Sequence, residues 1–470
     1  MFFALSLVGI CHHAIWLDEA QHFLLARDSN TLPQLIFACR NEGHPLLWNV
    51  ILFIITRFSF NVFYMQLIHV LISCVTVFII CKSNLNTCEK LFIIFGYYIF
   101  YEYNIISRNY GISALLIFLL IHTYLQNKEA ILKLSIIIFL LANTHLFSLL
   151  FSIAFVFTYI IHHKSTFSKQ SKTTITAAIS IILSGWLLSA YCIHPPDGYA
   201  SKFIAYDSSG YFSVERILKT ISACLKGIFY MPDYNAEGHH FENSIYYLTL
   251  NLKTWVIYFF SIIAIAIPIL ILRKSSFATT LFCLFLLIFT LAYFFLPLTF
   301  GIRYFGFFYI IFITCYWLAH KQITKCWRRV VLVIFALQFI NGIYAFSMGL
   351  CYPFSESKTV SNYVKQVRKP HENIFILNKS LRPAISAYSG EKYFGVENGQ
   401  PLSYCLWDTA LHDSILKIKL QTALNSDSTS LIIANSPFNN LLDTTKLVTL
   451  KAFNNSIMQG EDATIYRYKK

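Results

Sequence analysis

The segment TWVIYFFSIIAIAIPILIL, residues 254–272, decides the fold class, because it holds no charged side chain and is followed at once by Arg273 and Lys274. About 20 apolar residues suffice for an α-helix to cross the hydrocarbon core of a bilayer. Similar runs recur along the chain, so the sequence predicts many spans. They occupy residues 2–15, 46–60, 62–81, 91–106, 111–125, 131–144, 146–161, 173–193, 254–272, 277–296, 304–319 and 329–348.

The composition of the chain predicts a polytopic α-helical membrane protein. Of its 470 residues, 56% are hydrophobic and 13% are charged, whereas soluble proteins carry about 25% charged residues. The net charge of +14 does not indicate nucleic-acid binding, because Lys and Arg lie in short gaps between apolar runs, as in cytoplasmic membrane loops. We therefore expect no nucleic-acid partner.

The twelve cysteines are scattered, with no CxxC pair and no spacing typical of a zinc site. We expect no disulfide framework, and a pair among the later extracytoplasmic cysteines stays open. The first run, FFALSLVGI, has neither a basic n-region nor a cleavage site, so we expect no cleaved signal peptide. The run is short for a span, and we expect either a truncated first helix or a start upstream.

The charge of the gaps predicts which end of the spans faces the cytoplasm. Several gaps are basic and hold few acids, and the positive-inside rule places them in the cytoplasm. They carry Lys82 and Lys90, Lys128 and Lys133, Lys164, Lys169 and Lys172, Arg273 and Lys274, and Lys321, Lys325, Arg328 and Arg329. The alternating gaps then lie outside, at 16–45, 102–110, 143–145, 194–253, 297–303 and after 350.

This assignment holds only if residues 46–60 do not make an independent crossing. We interpret LLWNVILFIITRF as an interfacial or re-entrant helix on the outer face, with Arg57 reaching towards water. The sequence then predicts about eleven transmembrane helices, with the N-terminus inside and the C-terminus outside. The membrane part covers residues 1–350, with outer juxtamembrane helices in 16–60 and a long outer loop, 194–253, that covers the site as a lid.

Two short amphipathic helices are predicted in the first outer loop. In LDEAQHFLLARD, residues 17–28, the apolar residues share one helical face, which leaves Asp18 and Glu19 in contact with water. In TLPQLIFACR, the spacing of Thr31 and Gln34 is that of a capping box.

After residue 350 polar residues return, and the pattern predicts a small extracytoplasmic α/β domain, residues 351–470. Short β-type runs lie at 373–377, 430–436, 446–453 and 463–469, and helical patterns lie at 356–369 and 408–424. No Gly-rich phosphate loop opens these helices. We expect this domain to cover or position the membrane part.

The predicted outer loops share polar residues that suit chemistry at the membrane surface. A carboxylate can accept the proton of an incoming hydroxyl group, and an arginine can hold a phosphate through two hydrogen bonds. A base and a phosphate ligand together suit group transfer from a lipid phosphate to a hydroxyl. The candidates are Asp18, Glu19, His22, Glu42, His44, Arg108, His145 and Arg303.

Each candidate also has a purely structural alternative. These are helix capping for Asp18 and Glu19, a turn for His44, a place between two helices for His145, and anchoring in the membrane interface for Arg108 and Arg303. The pair His239 and His240 suggests a metal, but no spaced carboxylate completes such a site, and we expect no metal there.

The order of short motifs resembles the GT-C superfamily of membrane glycosyltransferases. WLDEAQHFLLARD follows the first run, and EGHPLLW, SRNY, NTH and RYFG come later in the chain. The nearest branch looks like the one that contains the protein O-mannosyltransferases and the transferase that adds aminoarabinose to lipid A. The resemblance covers about residues 1–350, and its most specific piece is the D-E pair followed by G-H-P.

The resemblance implies a role for each matching residue. Asp18 matches the family's catalytic acid and would be the base, while Glu19 would orient the base or the acceptor. His44 would lie beside the donor phosphate or sugar, and Arg108 and Arg303 would bind the phosphate. Other GT-C branches use a D-x-D metal site in the first outer loop, which this chain lacks. We therefore favour metal-independent transfer without a cofactor, and a divalent metal stays open.

Two classes of function fit these features. The leading prediction is a glycosyltransferase that moves a sugar from a polyprenyl-phosphate donor to a hydroxyl of a lipid, glycan or protein, with inversion. The alternative is a transporter or flippase for a lipid-linked or small anionic substrate. Transporters often place ionisable groups near the midplane, in repeated halves, and no repeat is visible here.

A shared site requires that Asp18, His44, Arg108 and Arg303 converge on one outer-face cavity. His22, Glu42 and His145 are further candidates for this cavity. We expect an integral protein of a bacterial inner membrane, in contact with its lipids, with the site and the C-terminal domain outside the cytoplasm.

Overall fold

The computed structural model describes residues 1–194, 214–234, 239–241, 245, 252–295, 301–378, 380–394, 401–405, 422, 429–435 and 444–469. Most of these residues are helical, and a six-stranded sheet follows the helices. The helices before the sheet are α1 (Phe2–His12), α2 (Leu17–Asp28), α3 (Leu32–Glu42), α4 (Leu47–Thr56), α5 (Val62–Cys81), α6 (Thr87–Ile94), α7 (Asn109–Gln126), α8 (Ile131–Ala142), α9 (Leu146–His162), α10 (Lys164–Lys169), α11 (Lys172–Ile193), α12 (Val214–Ile228), α13 (Thr254–Leu272), α14 (Ser276–Phe295), α15 (Ile302–Ala319) and α16 (Lys325–Cys351).

Seven of the described helices are long and apolar enough to cross a membrane, namely α5, α7, α11, α13, α14, α15 and α16. Four shorter apolar helices, α1, α4, α8 and α9, accompany them. The chain is therefore a helical protein built for a membrane, as its composition predicts. The number of eleven crossings stays a prediction, because α1, α8 and α9 have fewer residues than the roughly 20 that a span needs.

The predicted run 91–106 is not one continuous helix. α6 ends at Ile94, and the chain continues after Gly96 as a π-helical turn, Tyr97–Glu102. A Cβ atom at position 96 would lie 2.9 Å from the carbonyl oxygen of Phe92, so the absence of a side chain lets the backbone turn here. The break places the buried Glu102 beside the ends of neighbouring helices.

α4 connects the turn after α8 with the last turn of α2. Its ten residues extend about 15 Å, half of the hydrocarbon thickness of about 30 Å. At its start, Leu47 N donates to Asn143 O at 2.8 Å, and just after its end Arg57 Nη2 donates to Ala26 O and Arg27 O at 3.0 Å each. That residues 46–60 make no independent crossing stays a prediction.

The helix α2 differs from the predicted amphipathic surface helix. Every residue from Glu19 to Ala26 is buried, because α4 and the later helix Leu381–Ser389 both pack against α2. The predicted contact with water is wrong for Glu19, which is fully buried, whereas Asp18 keeps 28% of its side chain exposed. The next helix, α3, begins as predicted, since the Thr31 side chain accepts a hydrogen bond from Gln34 N.

The sheet of the C-terminal part is mixed, with the order β3-β2-β1-β4-β6-β5. β1 runs parallel to β2 and β4, and β6 runs antiparallel to β4 and β5. The elements are α17 (Ser357–Val367), β1 (Asn373–Ile376), α18 (Leu381–Ser389), β2 (Tyr393–Phe394), β3 (Pro401–Leu402), β4 (Thr429–Ala434), β5 (Leu447–Phe453) and β6 (Ala463–Lys469).

The β-type runs predicted from the sequence are confirmed as β1, β4, β5 and β6, and the helical pattern 356–369 as α17. The sequence missed α18 and the two short strands β2 and β3. The predicted helix 408–424, apart from residue 422, and about half of the predicted lid 194–253 lie outside the described residues. Within that segment, α12 packs against α13 and α15.

Two of the predicted cytoplasmic gaps meet at the end of the bundle formed by the starts of α6 and α16. His320 Nε2 lies 3.2 Å from Glu89 Oε2, and Arg328 Nη2 donates to His320 O at 2.8 Å. The two gaps, which their basic charge predicts to lie on the same side of the membrane, are thus in direct contact. All twelve cysteines of the chain are free thiols.

Candidate functional site

Asp18, Arg108 and Arg303 meet although they come from three distant helices. Asp18 lies in the first turn of α2, Arg108 directly precedes α7, and Arg303 lies in the first turn of α15. Arg108 Nη1 donates to Asp18 Oδ2, and Arg303 Nη1 donates to the same oxygen at 3.2 Å. The convergence that the sequence predicts is therefore present for these three residues.

Both arginines are buried, which argues against interfacial anchoring. Arg108 is 2% exposed and Arg303 is 7% exposed, and a buried charge needs compensating partners. Besides Asp18, Arg303 has Glu102, whose Oε1 lies 3.7 Å from the arginine Nε, and the ring of Trp16, whose centroid lies 4.2 Å from Cζ. This network holds the guanidinium group of Arg303 in one place.

Three buried donors around these arginines have no hydrogen-bond partner among the described residues: Arg108 Nε, Tyr110 OH and Trp16 Nε1. The ring of Tyr110 lies 5.1 Å from the Cζ atom of Arg108. Buried polar atoms in folded proteins are nearly always hydrogen-bonded. An acceptor-rich ligand, such as a phosphate group, would supply the missing partners.

Glu19 stabilises the loop that carries Arg108. Its Oε1 accepts a hydrogen bond from Ser107 N at 2.6 Å, and its Oε2 contacts His13 Nε2 at 2.7 Å and accepts from Trp16 N at 3.3 Å. The contact with Trp16 N is a helix cap, so the structural alternative applies to Glu19. Its full burial does not suit direct contact with an acceptor, and the residue positions Arg108 instead.

His22, His44 and His145 form a row next to the arginines. The ring centroids of His22 and His44 are 5.2 Å apart, and those of His44 and His145 are 6.0 Å apart. Burial, followed by the positive charge of Arg108, lowers the pKa of His22 to about 4. Burial and the neighbouring positive charges also lower the pKa values of His44 and His145 well below the usual value. All three rings are therefore neutral near pH 7.

The hydrogen bonds of His22 and His145 determine which nitrogen of each neutral ring can donate and which can accept a further hydrogen bond. His22 Nδ1 donates to Asn49 Oδ1 at 2.8 Å, which leaves Nε2 as an acceptor. His145 Nδ1 accepts from Phe147 N at 3.2 Å and caps α9, which leaves its Nε2 as a donor. His145 also stacks on Phe307, with ring centroids 5.1 Å apart. The row thus presents both a donor and an acceptor without adding charge.

Glu42 belongs to a neighbouring cavity and not to the arginine cluster. The cavity has a volume of about 610 Å³ and lies between α2, α3 and residues 404–405. Glu42 Oε1 accepts from Gln21 Nε2 at 2.6 Å, and the same amide group donates to Cys405 O at 2.8 Å. Other lining residues are Leu25, Asp28, Gln34, Phe37 and Tyr404.

The cavity and the arginine cluster both lie on one side of α2. Asp18, Gln21, Leu25 and Asp28 follow each other at spacings of three and four residues, which places them on the same side of a helix. Leu25 and Asp28 line the cavity, and Gln21 bonds to the cavity residue Glu42. Gln21, between Asp18 and the cavity residues, is buried and also accepts a hydrogen bond from Cys405 N at 2.8 Å.

The part of the chain that the structure describes has no group of three or more His, Cys, Asp or Glu side chains placed to hold a metal ion. His240 Nε2 lies 3.8 Å from Asp462 Oδ2, and the ring of His239 stacks on Tyr352. These contacts give the two histidines structural partners.

Sequence reasoning missed four residues around the cluster: Trp16, Glu102, Tyr110 and Tyr304. Tyr110 and Tyr304 had a usable signal in the sequence. SRNY places Tyr110 two residues after Arg108, and RYFG places Tyr304 directly after Arg303. The ring centroids of Tyr110 and Tyr304 are 6.0 Å apart. Glu102 carried no such signal, since it lies within an apolar run.

Comparison with protein-family models, with curated proteins and with solved structures finds no match. The functional interpretation therefore depends on the motifs of the sequence and on the geometry of this site.

Proposed function

We propose that the protein is a membrane glycosyltransferase that moves a sugar from a polyprenyl-phosphate donor to an acceptor hydroxyl. The observation that carries the proposal is that Arg108 and Arg303 converge on one carboxylate oxygen of Asp18. Two guanidinium groups suit a phosphate, and the carboxylate suits a general base. The unpartnered buried donors and the motif resemblance to GT-C enzymes support the same interpretation.

In the proposed reaction, the donor phosphate replaces Asp18 as the partner of the two arginines. Asp18 removes the proton of the acceptor hydroxyl, and the hydroxyl oxygen forms a bond to the anomeric carbon. The bond from that carbon to the phosphate oxygen breaks, and its electron pair leaves with the polyprenyl phosphate. Arg108 and Arg303 stabilise the negative charge of this leaving group. Attack opposite the leaving group inverts the anomeric carbon.

Two further features of Asp18 support its role as the base. Its side chain is 28% exposed, so an acceptor can approach it. Both arginines bond to Oδ2, and none of the described residues donates a hydrogen bond to Oδ1. Oδ1 is therefore the oxygen that we assign to the acceptor proton.

The histidine row supports binding of the sugar itself. A sugar offers hydroxyl groups that both donate and accept hydrogen bonds, and the neutral rings of His22, His44 and His145 provide both kinds of partner. Neutral side chains also avoid competition with the arginines for the phosphate. His44, for which the family resemblance implies contact with donor sugar or phosphate, lies in the middle of this row.

The cavity on the Asp18 face of α2 suits the acceptor. Its described lining includes the carboxylates of Asp28 and Glu42 and the ring of Phe37, and no lysine or arginine. This lining favours a neutral, hydroxyl-rich acceptor over a strongly anionic one. The proposal includes the predicted topology, with about eleven crossings and with the site and residues 351–470 on the outer face of a bacterial inner membrane.

A donor panel tests the proposal. Membranes that contain the protein are incubated with radiolabelled polyprenyl-phosphate sugars of different sugar type, and the label is followed from the lipid extract into product. We expect transfer with at least one donor, and none with membranes that carry the Asp18→Asn variant at equal abundance. A transporter would leave the sugar on its lipid and change only the side on which the labelled lipid lies, and that result would contradict the proposal.

A further inference from the structure

The loop between β5 and β6, residues 454–462, reaches from the C-terminal sheet into the candidate site. Its residues Ile457 and Met458 are buried and belong to the hydrophobic core of the helical bundle. Met458 Sδ lies 4.0 Å from Arg303 Nη2. A loop of the sheet therefore contacts one of the two arginines that we assign to the donor phosphate.

The loop is attached to the segment 353–357, which leads from α16 into the C-terminal part. Ile457 N donates to Pro353 O at 2.9 Å, and Met458 N donates to Phe354 O at 3.0 Å. Ser355 Oγ donates to Glu461 Oε2 at 2.7 Å. These bonds involve both backbone and side chain, so the loop is docked at several points.

The same segment touches the residues that lead into α2. Ser357 Oγ donates to Ile15 O at 2.7 Å, and the ring of Phe354 lies 6.1 Å from the ring of Trp16. Trp16 is the residue before α2 and stacks on Arg303. The loop 454–462 thus contacts Arg303 directly, through Met458, and contacts the residues before α2 indirectly, through the segment 353–357.

We propose that the loop 454–462 forms one wall of the candidate site and that Glu461, which bonds to Ser355, is the positioning residue that holds this wall in place. Glu461 is 1% exposed. Its effect on sugar transfer depends on the proposed function, whereas the docking of the loop does not.

The charges around Glu461 explain why the uncharged form is preferred. The titratable and charged groups on the elements that pack around it are Asp18, Glu19, Glu356 and Asp462, which are acids, and Arg303, His13 and His240, which are bases. Arg303 already pairs with Asp18 and Glu102. Burial raises the pKa of Glu461 from the usual 4.5 to about 8; the hydrogen bonds from Ser355 and from the backbone of Leu17 oppose this rise in part, and the negative charges of Asp18 and Glu19 add to it.

The raised pKa sets the pH range over which docking changes. A free loop loses the proton of Glu461 near pH 4.5, whereas a docked loop keeps it up to about pH 8. Docking of the loop is therefore strongest below about pH 4.5 and weakens as the pH rises from 4.5 to about 8. Above about pH 8 the stabilisation that the protonated Glu461 gives to docking is lost.

Hydrogen–deuterium exchange of the purified full-length protein tests this inference. The backbone amides of residues 454–462 are compared at pH 5.5 and pH 9 in the wild type, in Glu461→Gln and in Glu391→Gln, a control at an exposed ion pair of the same C-terminal part. At pH 5.5 the loop should exchange at most about tenfold faster in the wild type than in Glu461→Gln, because only the first part of the contribution is lost there. At pH 9 the loop should exchange at least about 100-fold faster in the wild type and in the control than in Glu461→Gln, relative to β6.

Two results would overturn the inference. One is equal loop protection at pH 9 in the wild type and in Glu461→Gln. The other is loss of protection in Glu461→Gln at pH 5.5, which would show that a carboxylate is required. If Glu461→Gln does not accumulate, the wild type still decides, because loop protection that does not fall relative to β6 between the two pH values contradicts it. If the loop exchanges as expected but the wild type transfers no sugar from any donor of the panel, only the proposed function is rejected.

Discussion

Arg303 Nη1 lies 3.2 Å from Asp18 Oδ2, although 285 positions separate the two residues. The contact brings the first turn of α15 against the first turn of α2, and Arg108 donates to the same carboxylate oxygen. Two cations on one partly exposed carboxylate form a site in which an incoming anion can compete for the arginines. The predictions below test what this arrangement does.

Replacing Asp18 by Asn should abolish the proposed transfer. The amide keeps the size of the side chain but cannot accept the acceptor proton, so turnover should fall at least about 100-fold, the usual contribution of a general base. The measurement is transfer from the donor identified in the panel, at matched protein abundance. The exposed Glu391→Gln variant serves as the control, and near-normal turnover by Asp18→Asn would remove Asp18 from the role of base.

Replacing Arg303 by Lys should weaken stabilisation of the donor phosphate. A lysine ammonium is a point charge and cannot contact Glu102 and a phosphate together with the geometry of a planar guanidinium group. We expect kcat/KM for the donor to fall about 100-fold. Arg368→Lys, at an exposed ion pair with Glu391, is the matched control. An unchanged kcat/KM for Arg303→Lys would mean that the phosphate binds elsewhere.

Replacing Phe37 by Ala should affect the acceptor and not the donor. Phe37 is 53% exposed and lines the cavity beside α2, so its removal should cost little stability. If an acceptor covers this ring, the lost apolar contact should raise the acceptor KM about tenfold. The donor KM should stay constant. Phe58, which is 86% exposed and lies away from the cavity, gives the control Phe58→Ala. A rise in the donor KM alone would reject the cavity as the acceptor site.

The buried histidines should make the folded protein sensitive to acid. His22 binds a proton near pH 6.5 when unfolded and only near pH 4 when folded, so its contribution to stability is complete above about pH 6.5. As the pH falls from 6.5 to 4 this contribution is lost, and the free energy of unfolding falls by up to about 3 kcal/mol. Thermal unfolding in detergent between pH 7.5 and 4.5 should show a smaller decrease for His22→Gln than for the wild type. His12→Gln, at an exposed histidine, should follow the wild type, and parallel curves for all three proteins would contradict this explanation.

Native cysteines provide a test of the predicted sides of the membrane. Cys88 and Cys326 are exposed thiols in gaps that the positive-inside rule places in the cytoplasm. A membrane-impermeant maleimide applied to intact cells should leave both unlabelled and should label an Asn454→Cys variant in the loop of the sheet. Permeabilised cells show that both thiols can react. Labelling of Cys88 from outside in intact cells would reverse the topology.

Local features of this protein follow from its sequence. The apolar runs predict helices that can cross a membrane, because a helix of about 20 apolar residues is long and hydrophobic enough to span the hydrocarbon core of a bilayer. Thr31 caps α3, and short runs rich in apolar and aromatic residues form β4 and β6, because capping and strand propensity depend on residues a few positions apart. The candidates Asp18, Arg108 and Arg303 were also found from short motifs.

Tertiary packing decided what those candidates do. Glu19 looks like an exposed neighbour of Asp18 in sequence, yet two packed helices bury it, and it bonds to Ser107. Glu102 lies in an apolar run, and a break in the helix at Gly96 turns the chain towards Arg303. Glu461 comes from the loop between the last two strands and accepts a hydrogen bond from the backbone of Leu17 at the start of α2. Such contacts join positions hundreds of residues apart, and only the packing of helices and sheet determines their distances, because side-chain periodicity carries information about one element at a time.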